Sequence, residues 1–280
     1  MYRKSDRGSP VGHSDILTAM AAATVHALQM TPVKGLRVVA RDDVYLTPAG
    51  VSDDRRFYLV DERGRMVNGK QLGTLNEIVA VYEHGARTLE LTFPDGTVVA
   101  GAVEPGEQLT TRFYSRPAPA HELRGGFSEA LSEHVGRPVR IVEGLERSGI
   151  DRGRGGAVTL VSQASLGALA RVAGADEVDS RRFRMLVVVG GIDEPHEEDT
   201  WVGEQLRVGD AVVRVRGHVG RCNVTHRHPE TGDADLHTLD LLRQYRSGLN
   251  TTEPLAFGVY GEVRAPGAVA VGDTVALTPR

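Results

Sequence analysis

Only one cysteine and no excess of basic residues are found in this chain of 280 residues. The lone cysteine, Cys222, excludes an intramolecular disulfide and is compatible with a reducing cytoplasm. The chain has a net charge of −4, so it lacks the excess of basic residues that is typical of proteins that bind nucleic-acid phosphates. We therefore expect no nucleic-acid partner.

The start of the sequence also lacks a long hydrophobic run. Its longest apolar stretch, Ile16 to Leu28, is shorter than the roughly 20 residues that a membrane-spanning helix requires. Asp15 lies directly before it, which is unlike the basic flank of a secretory signal. These features predict a cytoplasmic protein without membrane contact, in which residues 1–23 form a disordered leader.

Glycine is abundant, with 33 residues, whereas only 5% of the residues are aromatic, and this composition suits a strand-rich fold with many turns. Short strand candidates follow one another closely, as at Thr88–Phe93 and Thr97–Ala100 on either side of the turn Pro94-Asp95-Gly96. The pattern predicts a mainly β protein of the α+β class, with antiparallel barrels or sandwiches.

Three helices and one fully apolar strand are predicted in addition to the short alternating strands. Helices are predicted at Ser128–Val135 with Ser128 as cap, from Ser162 as N-cap through Val172, and at Leu236–Tyr245. The uninterrupted apolar run Met185–Val189 predicts a central strand that is covered on both faces.

The chain divides into two parts. A loop with Pro117 and Pro119 predicts a boundary near residue 115. The two domains would then be residues 24–115 and residues 116–280.

Cys222 is the first candidate for chemistry. Its neighbour Arg221 is expected to lower the pKa of the thiol. His226 and His228 have the same parity, so on a strand they would share a face and could serve as bases or ligands, the alternative being solvated loop residues. Their spacing is not that of the usual zinc motifs. The turn Pro229–Gly232 is expected to reverse the chain after the cysteine strand.

The second group of candidate residues is basic and consists of Lys34, Arg55, Lys70, Arg152, Arg154 and Arg184. Most of these side chains individually suggest solvated surface charges. Arg184 heads an apolar strand, where its guanidinium needs a carboxylate or a phosphate. The loop from Arg152 to Gly156, which includes Gly155, offers cations and backbone N–H groups to a small anion. It lacks the P-loop pattern, and no GxSxG, HExxH or GxGxxG motif follows elsewhere.

A series of motifs, in the correct order along nearly the whole chain, resembles the MOSC family, which is named for the C-terminal domain of molybdenum-cofactor sulfurases. The motifs are Thr31-Pro-Val-Lys34-Gly-Leu36, Asp54-Arg-Arg-Phe57-Tyr-Leu-Val-Asp61, Ser180–Val187, Glu198-Asp-Thr-Trp201-Val-Gly203, Arg221-Cys222 with Pro229-Glu-Thr-Gly232, and Phe257-Gly-Val-Tyr260 with Val271-Gly-Asp273.

The resemblance implies an N-terminal β-barrel followed by a β-barrel-like MOSC domain. The chain is similar to the mitochondrial amidoxime-reducing proteins and their bacterial relatives. Those proteins hold a pyranopterin molybdenum cofactor and reduce N-hydroxylated compounds. By position, Cys222 would be the molybdenum ligand and Tyr260 would lie near it. Lys34, Arg55 and Arg184 would hold the phosphate and pterin, with Lys70 as a further candidate.

Several polar residues of the family pattern are replaced in this chain. Glycine stands at positions 35, 155, 156 and 220, where relatives have hydroxyl side chains, and Gly220 lies two residues before the cysteine. Met185 and Leu186 replace Pro and Asn. The cations and the thiol remain, and backbone amides could replace some of the lost hydrogen bonds.

Three functions stay open at this point. The first is a molybdenum-cofactor oxidoreductase acting on a small N-oxygenated molecule. Its electrons would come from a separate protein, because one cysteine cannot hold an iron–sulfur cluster. The second is a metal-free sulfur carrier or carbon–sulfur bond enzyme with Cys222 as nucleophile. The third is a cofactor-binding or carrier protein without turnover.

Overall fold

A computed structural model describes residues 23–145 and 153–278. In the second segment, side chains are described from residue 155 onward. The expected leader, residues 1–23, lies outside these ranges except for Ala23. Among the helices in the described ranges, none has the length and apolar character to cross a membrane.

The elements of the described residues are short strands and a few helices. In chain order, the strands are β1 (Thr24–Met30), β2 (Val33–Lys34), β3 (Val39–Arg41), β4 (Asp43–Thr47), β5 (Gly50–Val51), β6 (Phe57–Val60), β7 (Met66–Val67), β8 (Val79–Glu83), β9 (Thr88–Thr92), β10 (Val98–Ala102), β11 (Pro105–Phe113), β12 (Arg116–Leu123), β13 (Arg140–Gly144), β14 (Val158–Ser162), β15 (Val187–Gly190), β16 (Gln205–Val208), β17 (Ala211–Gly220), β18 (Ala256–Ala265), β19 (Gly267–Ala270) and β20 (Val275–Leu277). The helices are α1 (Phe127–Val135), α2 (Gln163–Ala173) and α3 (Thr238–Arg246), with 3-10 turns at Gly73–Glu77, Gly153–Gly156, Ser180–Phe183, Glu197–Trp201 and Asn223–His226.

The C-terminal part is built on a large sheet, in which the described strands follow the order β20-β16-β17-β18-β14-β15-β1-β3. β15 pairs in parallel with β14 and antiparallel with β1, and all its residues are buried, which confirms the predicted central strand. One apolar cluster on this sheet encloses Trp201, and another joins α2 and α3 to it around Phe257. The fold is therefore mainly β with a few helices, as expected.

The N-terminal part consists of smaller sheets. The described strands form the orders β11-β12-β13-β6-β2, with β7 beside β6, then β10-β9-β8, and β19-β4-β5. The core shared by the sheets of β6 and β9 includes Phe57 and Leu59 of β6 and is closed by Phe127 of α1. The sheet of β4 and β19 packs instead, through Leu46 and Val269, in the apolar cluster around Trp201. The hairpin predicted around Pro94-Asp95-Gly96 is confirmed, since β9 and β10 pair antiparallel across it.

The predicted boundary near residue 115 falls in the hairpin turn between β11 and β12. β12 pairs with β13, and β13 pairs with β6, so strands on both sides of residue 115 belong to one sheet. The chain thus passes to the large sheet after β13. β1 and β3 belong to the large sheet although they come first in the chain.

The hydrogen bonds of two serine side chains show which of the predicted helix caps is correct. The Ser162 Oγ accepts the backbone N–H of Ser165 at 3.1 Å, which confirms Ser162 as the N-cap of α2. The cap predicted at Ser128 is wrong, because α1 begins one residue earlier with Gly126 as its N-cap. The Ser128 Oγ accepts the N–H of Ile141 instead, at 3.2 Å, and so links α1 to β13.

Candidate functional site

A cavity of about 720 Å³ lies between the N-terminal sheets and the large sheet. Its volume is in the range of small-molecule and cofactor sites. Lys34, Arg55 and Lys70 contribute to its wall from the N-terminal part, and Arg184 and Cys222 contribute from the C-terminal part. Residues that are far apart in the sequence thus meet in one cavity.

Cys222 lies between the end of β17 and the 3-10 turn Asn223–His226. The residue is partly buried and lines the cavity. Its carbonyl oxygen accepts hydrogen bonds from the N–H and the Oγ1 of Thr225, both at 3.0 Å, and Thr225 is buried. The predicted cysteine strand is wrong, since β17 ends at Gly220, and the 3-10 turn holds the thiol residue at the cavity wall.

Arg221 braces the backbone around the thiol. Its Nε donates to the carbonyl of Phe257 at 2.9 Å, and its Nη1 donates to the carbonyl of Phe183 at 3.0 Å. Its Nη2 lies 2.9 Å from the sulfur of Met185, and the guanidinium carbon lies 5.2 Å from the centroid of the Phe183 ring. The guanidinium therefore ties β18 to the segment that precedes β15.

Lys34 is the most buried cation of the cavity wall, with 8% of its surface exposed. Its ammonium group lies 5.7 Å from the ring centroids of both Phe113 and Tyr114. Such rings attract a cation electrostatically and fix its position. Lys70, in contrast, is exposed and reaches the cavity from its rim.

Arg55 and Arg184 are linked to each other. The Nη2 of Arg55 donates to the carbonyl of Arg184 at 2.7 Å, and the Nη2 of Arg184 donates to the carbonyl of Leu36 at 2.7 Å. Arg55 also forms an ion pair with Asp54, whose carboxylate accepts the N–H of Thr31 at 3.2 Å. Both guanidinium groups are thus fixed at the wall rather than free to move in solvent.

Backbone strain is concentrated at this cavity. Six non-glycine residues of the described chain have a positive φ, and three of them line the cavity, namely Arg55 at 51°, Tyr114 at 53° and Arg184 at 55°. Each such residue costs on the order of 1 kcal/mol or more and persists where the surroundings enforce it. Strained backbone is often found at functional sites, so these φ values indicate a functional site at this wall without reference to residue charge.

His226 and His228 lie outside the cavity wall. The Nε2 of His226 accepts the N–H of Leu239 at 3.2 Å, and the Nδ1 of His228 accepts the N–H groups of Glu230 and Thr231 at 3.2 and 3.3 Å. Neither residue is on a strand, so the condition under which they would share a strand face is not met. Among the residues that the structure describes, no group of three or more His, Cys, Asp and Glu side chains is placed to hold a metal ion.

Tyr260 and the glycine loop lie at the border of the cavity. Tyr260 does not line it, but it pairs across β18 and β14 with Thr159, which does. Gly156 lines the cavity, whereas Gly155 does not. Arg152 and the side chain of Arg154 lie outside the described residues.

Two of the glycines that replace family hydroxyl residues have a structural explanation. Gly35 lines the cavity with a φ of 101°, a conformation that L side chains rarely adopt. Gly220 donates its N–H to Glu253 Oε2 at 3.0 Å, and a Cβ at this position would lie 2.6 Å from that oxygen. The Glu253 carboxylate therefore takes the space that a serine side chain would need. Gly220 itself does not line the cavity.

Two residues of the cavity wall gave no signal in the sequence. His84 follows β8, and its Nδ1 lies 2.8 Å from Asp53 Oδ1. Tyr114 occupies the hairpin turn after β11 and is half exposed. His84 and its carboxylate partner come from different turns, so no local spacing connects them.

Two β-rich parts that enclose a thiol and several fixed cations in one cavity define the class of this chain. The chain belongs to the MOSC domain family. Residues 147–276 match the MOSC domain, and residues 22–122 match the MOSC N-terminal beta barrel domain. The resemblance inferred from the motifs is thereby confirmed, and with it an association with molybdenum-cofactor binding at the level of the family.

Solved structures that match the chain include the YUAD protein from Bacillus subtilis, at 12% identity and a TM-score of 0.43, covering 90% of this chain and 93% of that one. YiiM from Geobacillus stearothermophilus matches at 16% identity and a TM-score of 0.34, over 46% of this chain and 57% of that one. YiiM from Escherichia coli matches at 18% identity and a TM-score of 0.32, over 45% and 56%. No curated protein matches the chain.

Proposed function

We propose that this chain binds a pyranopterin molybdenum cofactor in the cavity and reduces small N-oxygenated molecules there. The observation that carries the proposal is the convergence of Cys222 with Lys34, Arg55, Lys70 and Arg184 on one cavity wall. The family association with this cofactor supports it.

The chemical types of the residues on the cavity wall, cations and a thiol, are those that the cofactor requires. A phosphate dianion requires several fixed cations, and guanidinium groups bind it through paired N–H donors. A soft thiolate is a suitable ligand for a high-valent metal. Lys34, Arg55, Arg184 and the exposed Lys70 would hold the phosphate and pterin, and Cys222 would ligate molybdenum. When bound, the cofactor would supply the two-electron chemistry.

The protein's own contribution is positioning and enclosure. Arg221 and Thr225 hold the backbone around Cys222, so the residue that carries the thiol is kept at the cavity wall. The buried Lys34 and the linked arginines offer positive charge with little reorganisation, which strengthens binding of an anion. The overall reaction is R–NH–OH + 2 e⁻ + 2 H⁺ → R–NH₂ + H₂O, with electrons from a separate reduced protein.

The first test is the molybdenum content of protein produced with molybdate in a cofactor-synthesising host. We expect molybdenum close to one per chain in the wild type and little in Cys222→Ala. Lys70→Ala should lower retention of the cofactor on dialysis, whereas Arg63→Ala, an exposed cation that does not line the cavity, should not. A wild type without molybdenum would contradict the proposal.

Turnover distinguishes the remaining alternatives. A molybdenum-loaded protein that fails to reduce an N-hydroxylated probe with a chemical reductant would be a cofactor-binding protein without turnover. The metal-free nucleophile has less support, because its expected bases, His226 and His228, accept backbone N–H groups outside the cavity. Rapid alkylation of Cys222 near neutral pH in protein without molybdenum would favour that alternative.

A further inference from the structure

One histidine, His84, is found on the cavity wall among the described residues. We propose that His84, held by Asp53, is the proton donor that turns the N-bound hydroxyl of the substrate into departing water. This inference rests on the proposed reductase function and deepens it, because it assigns a catalytic role that neither the family motifs nor the local spacing indicated.

The chemistry requires such a group. In R–NH–OH the N–O bond breaks, the oxygen leaves with the bonding pair, and two electrons that originate from the separate reduced carrier replace that pair on the nitrogen. The hydroxyl leaves as water after taking one proton, and the nitrogen takes the second proton from solvent. Hydroxide is a poor leaving group, and a positioned general acid contributes about 10²- to 10⁴-fold to such a step.

The cations, Asp54 and Cys222 of the described wall are poorly suited to this task. Lysine and arginine keep their protons near neutral pH and are better suited to hold anions. Asp54 is engaged by Arg55 and by the N–H of Thr31. Cys222 is committed to the metal in the proposed function. Histidine is the side chain that exchanges protons in the neutral range.

The geometry of His84 suits a donor. Its Nδ1 lies 2.8 Å from Asp53 Oδ1, so we assign the Nδ1 proton to this hydrogen bond. The opposite nitrogen, Nε2, is then the atom that delivers and recovers the catalytic proton, as in other sites where a carboxylate orients a histidine. The His84 side chain is 56% exposed, which lets bulk water restore its proton.

The charged and titratable neighbours of the imidazole are largely compensated. Tyr82 places its ring 6.1 Å from that of His84, and burial raises its pKa. Around Tyr82, Glu143 pairs with Arg56 at 2.5 Å and with Arg87 at 3.1 Å. The Glu83 carboxylate accepts the N–H of Gly85 in the adjoining turn. Asp53 is therefore the one carboxylate in this described group that is directed at His84.

The test uses molybdenum-loaded protein, reduced methyl viologen as electron donor and benzamidoxime as substrate. The kcat and KM values are measured between about pH 5.5 and 8.5, the range in which a histidine changes its charge. The variants are His84→Gln, His84→Ala and Asp53→Asn. The matched control is His26→Gln, an exposed histidine that does not line the cavity. Molybdenum content is determined for each protein.

We expect the wild-type kcat to fall as the pH rises through the neutral range. His84→Gln should lower kcat about 100-fold while molybdenum content and KM are kept, and its pH dependence should disappear. Added imidazole should restore part of the activity of His84→Ala. Asp53→Asn should lower kcat less than His84→Gln does, because the amide oxygen can still accept the Nδ1 proton and orient the ring.

Each other outcome overturns a defined statement. A His84→Gln enzyme with the wild-type kcat and pH profile overturns the role of His84 and leaves the reductase function standing. Loss of molybdenum in both His84→Gln and Asp53→Asn would show a structural role and would also overturn it. A wild type that lacks molybdenum, or that is loaded but inactive, overturns the reductase function and this inference together.

Discussion

Replacing Arg221 with lysine separates two roles that the sequence alone cannot distinguish. If the residue acts on Cys222 only through its positive charge, as the sequence suggested, lysine is an adequate substitute. If it acts as the brace seen in the structure, lysine is a poor one, because its ammonium lacks the planar fork that reaches Phe257 and Phe183 together.

The expected loss follows from the contacts. Hydrogen bonds to a charged donor contribute about 1.5–3 kcal/mol each, and the guanidinium makes such bonds to the carbonyls of Phe257 and Phe183. Its position over the Phe183 ring adds about 0.5–1 kcal/mol. Lysine can keep one of the two carbonyl bonds. The free energy of unfolding should therefore fall by about 3 kcal/mol in Arg221→Lys.

The assay is urea unfolding of purified protein, followed by circular dichroism, with Arg216→Lys as control. Arg216 lies on β17, the strand that ends just before Arg221, but its side chain is half exposed and its pairing with Glu262 is loose, at 3.7 Å. The control should change stability by less than about 0.5 kcal/mol. If Arg221→Lys is as stable as the control, while Arg221→Met alone alters the pH dependence of Cys222 alkylation, the brace is refuted and the charge is the role.

Three further changes test the surroundings of the cavity. Gly35→Ser should destabilise the fold by about 1 kcal/mol or more in thermal unfolding, because its φ of 101° disfavours a side chain. Arg182→Met should cost about 2 kcal/mol in urea unfolding, since Arg182 donates to both carboxylate oxygens of Asp235, at 2.7 and 2.9 Å, and Asp235 is a third exposed. Burial acts to raise the pKa of Asp235, but the hydrogen bonds from Arg182 outweigh it and the pKa is lowered, so this stability should be present above the unfolded pKa and be lost as the pH falls through the folded one. Burial raises the pKa of Glu198 despite its serine partners, so wild-type stability should decrease as the pH rises through that folded pKa, and Glu198→Gln should remove this dependence in urea titrations across pH.

The parts of the fold that were predicted correctly depend on local patterns. Ser162 was recognised as an N-cap because the residues that follow it form a helical run, and the cap is made within three residues. The strand β15 was recognised because an apolar run without alternation requires cover on both faces. Its start was placed two residues early, since Arg184 has a left-handed backbone that no local pattern indicated.

The candidate site was predicted only where a motif surrounds the residue. Lys34, Arg55, Arg184 and Cys222 stand in family motifs, and the fold brings them to one cavity. His84 stands in no motif, and its partner Asp53 lies 31 positions earlier in the chain, so their contact depends on how two turns pack together. His226 was a candidate base or ligand whose orientation the sequence left open, and the 3-10 turn after Cys222 directs its Nε2 to the start of α3.

The strained residues at the cavity wall bear on how the proposed site could bind its ligand with fewer polar side chains than the family pattern. Arg55 and Arg184 hold left-handed backbone conformations, and each is fixed by a hydrogen bond to a carbonyl that is distant in sequence. Such conformations lower stability, so the packing around them must stabilise the fold by more than they cost. In return, the hydrogen bonds to the Arg184 and Leu36 carbonyls hold the two guanidinium groups in place at the cavity wall. Because preorganised charge contributes more to binding than flexible surface charge, this wall would need fewer hydroxyl side chains to hold the proposed cofactor.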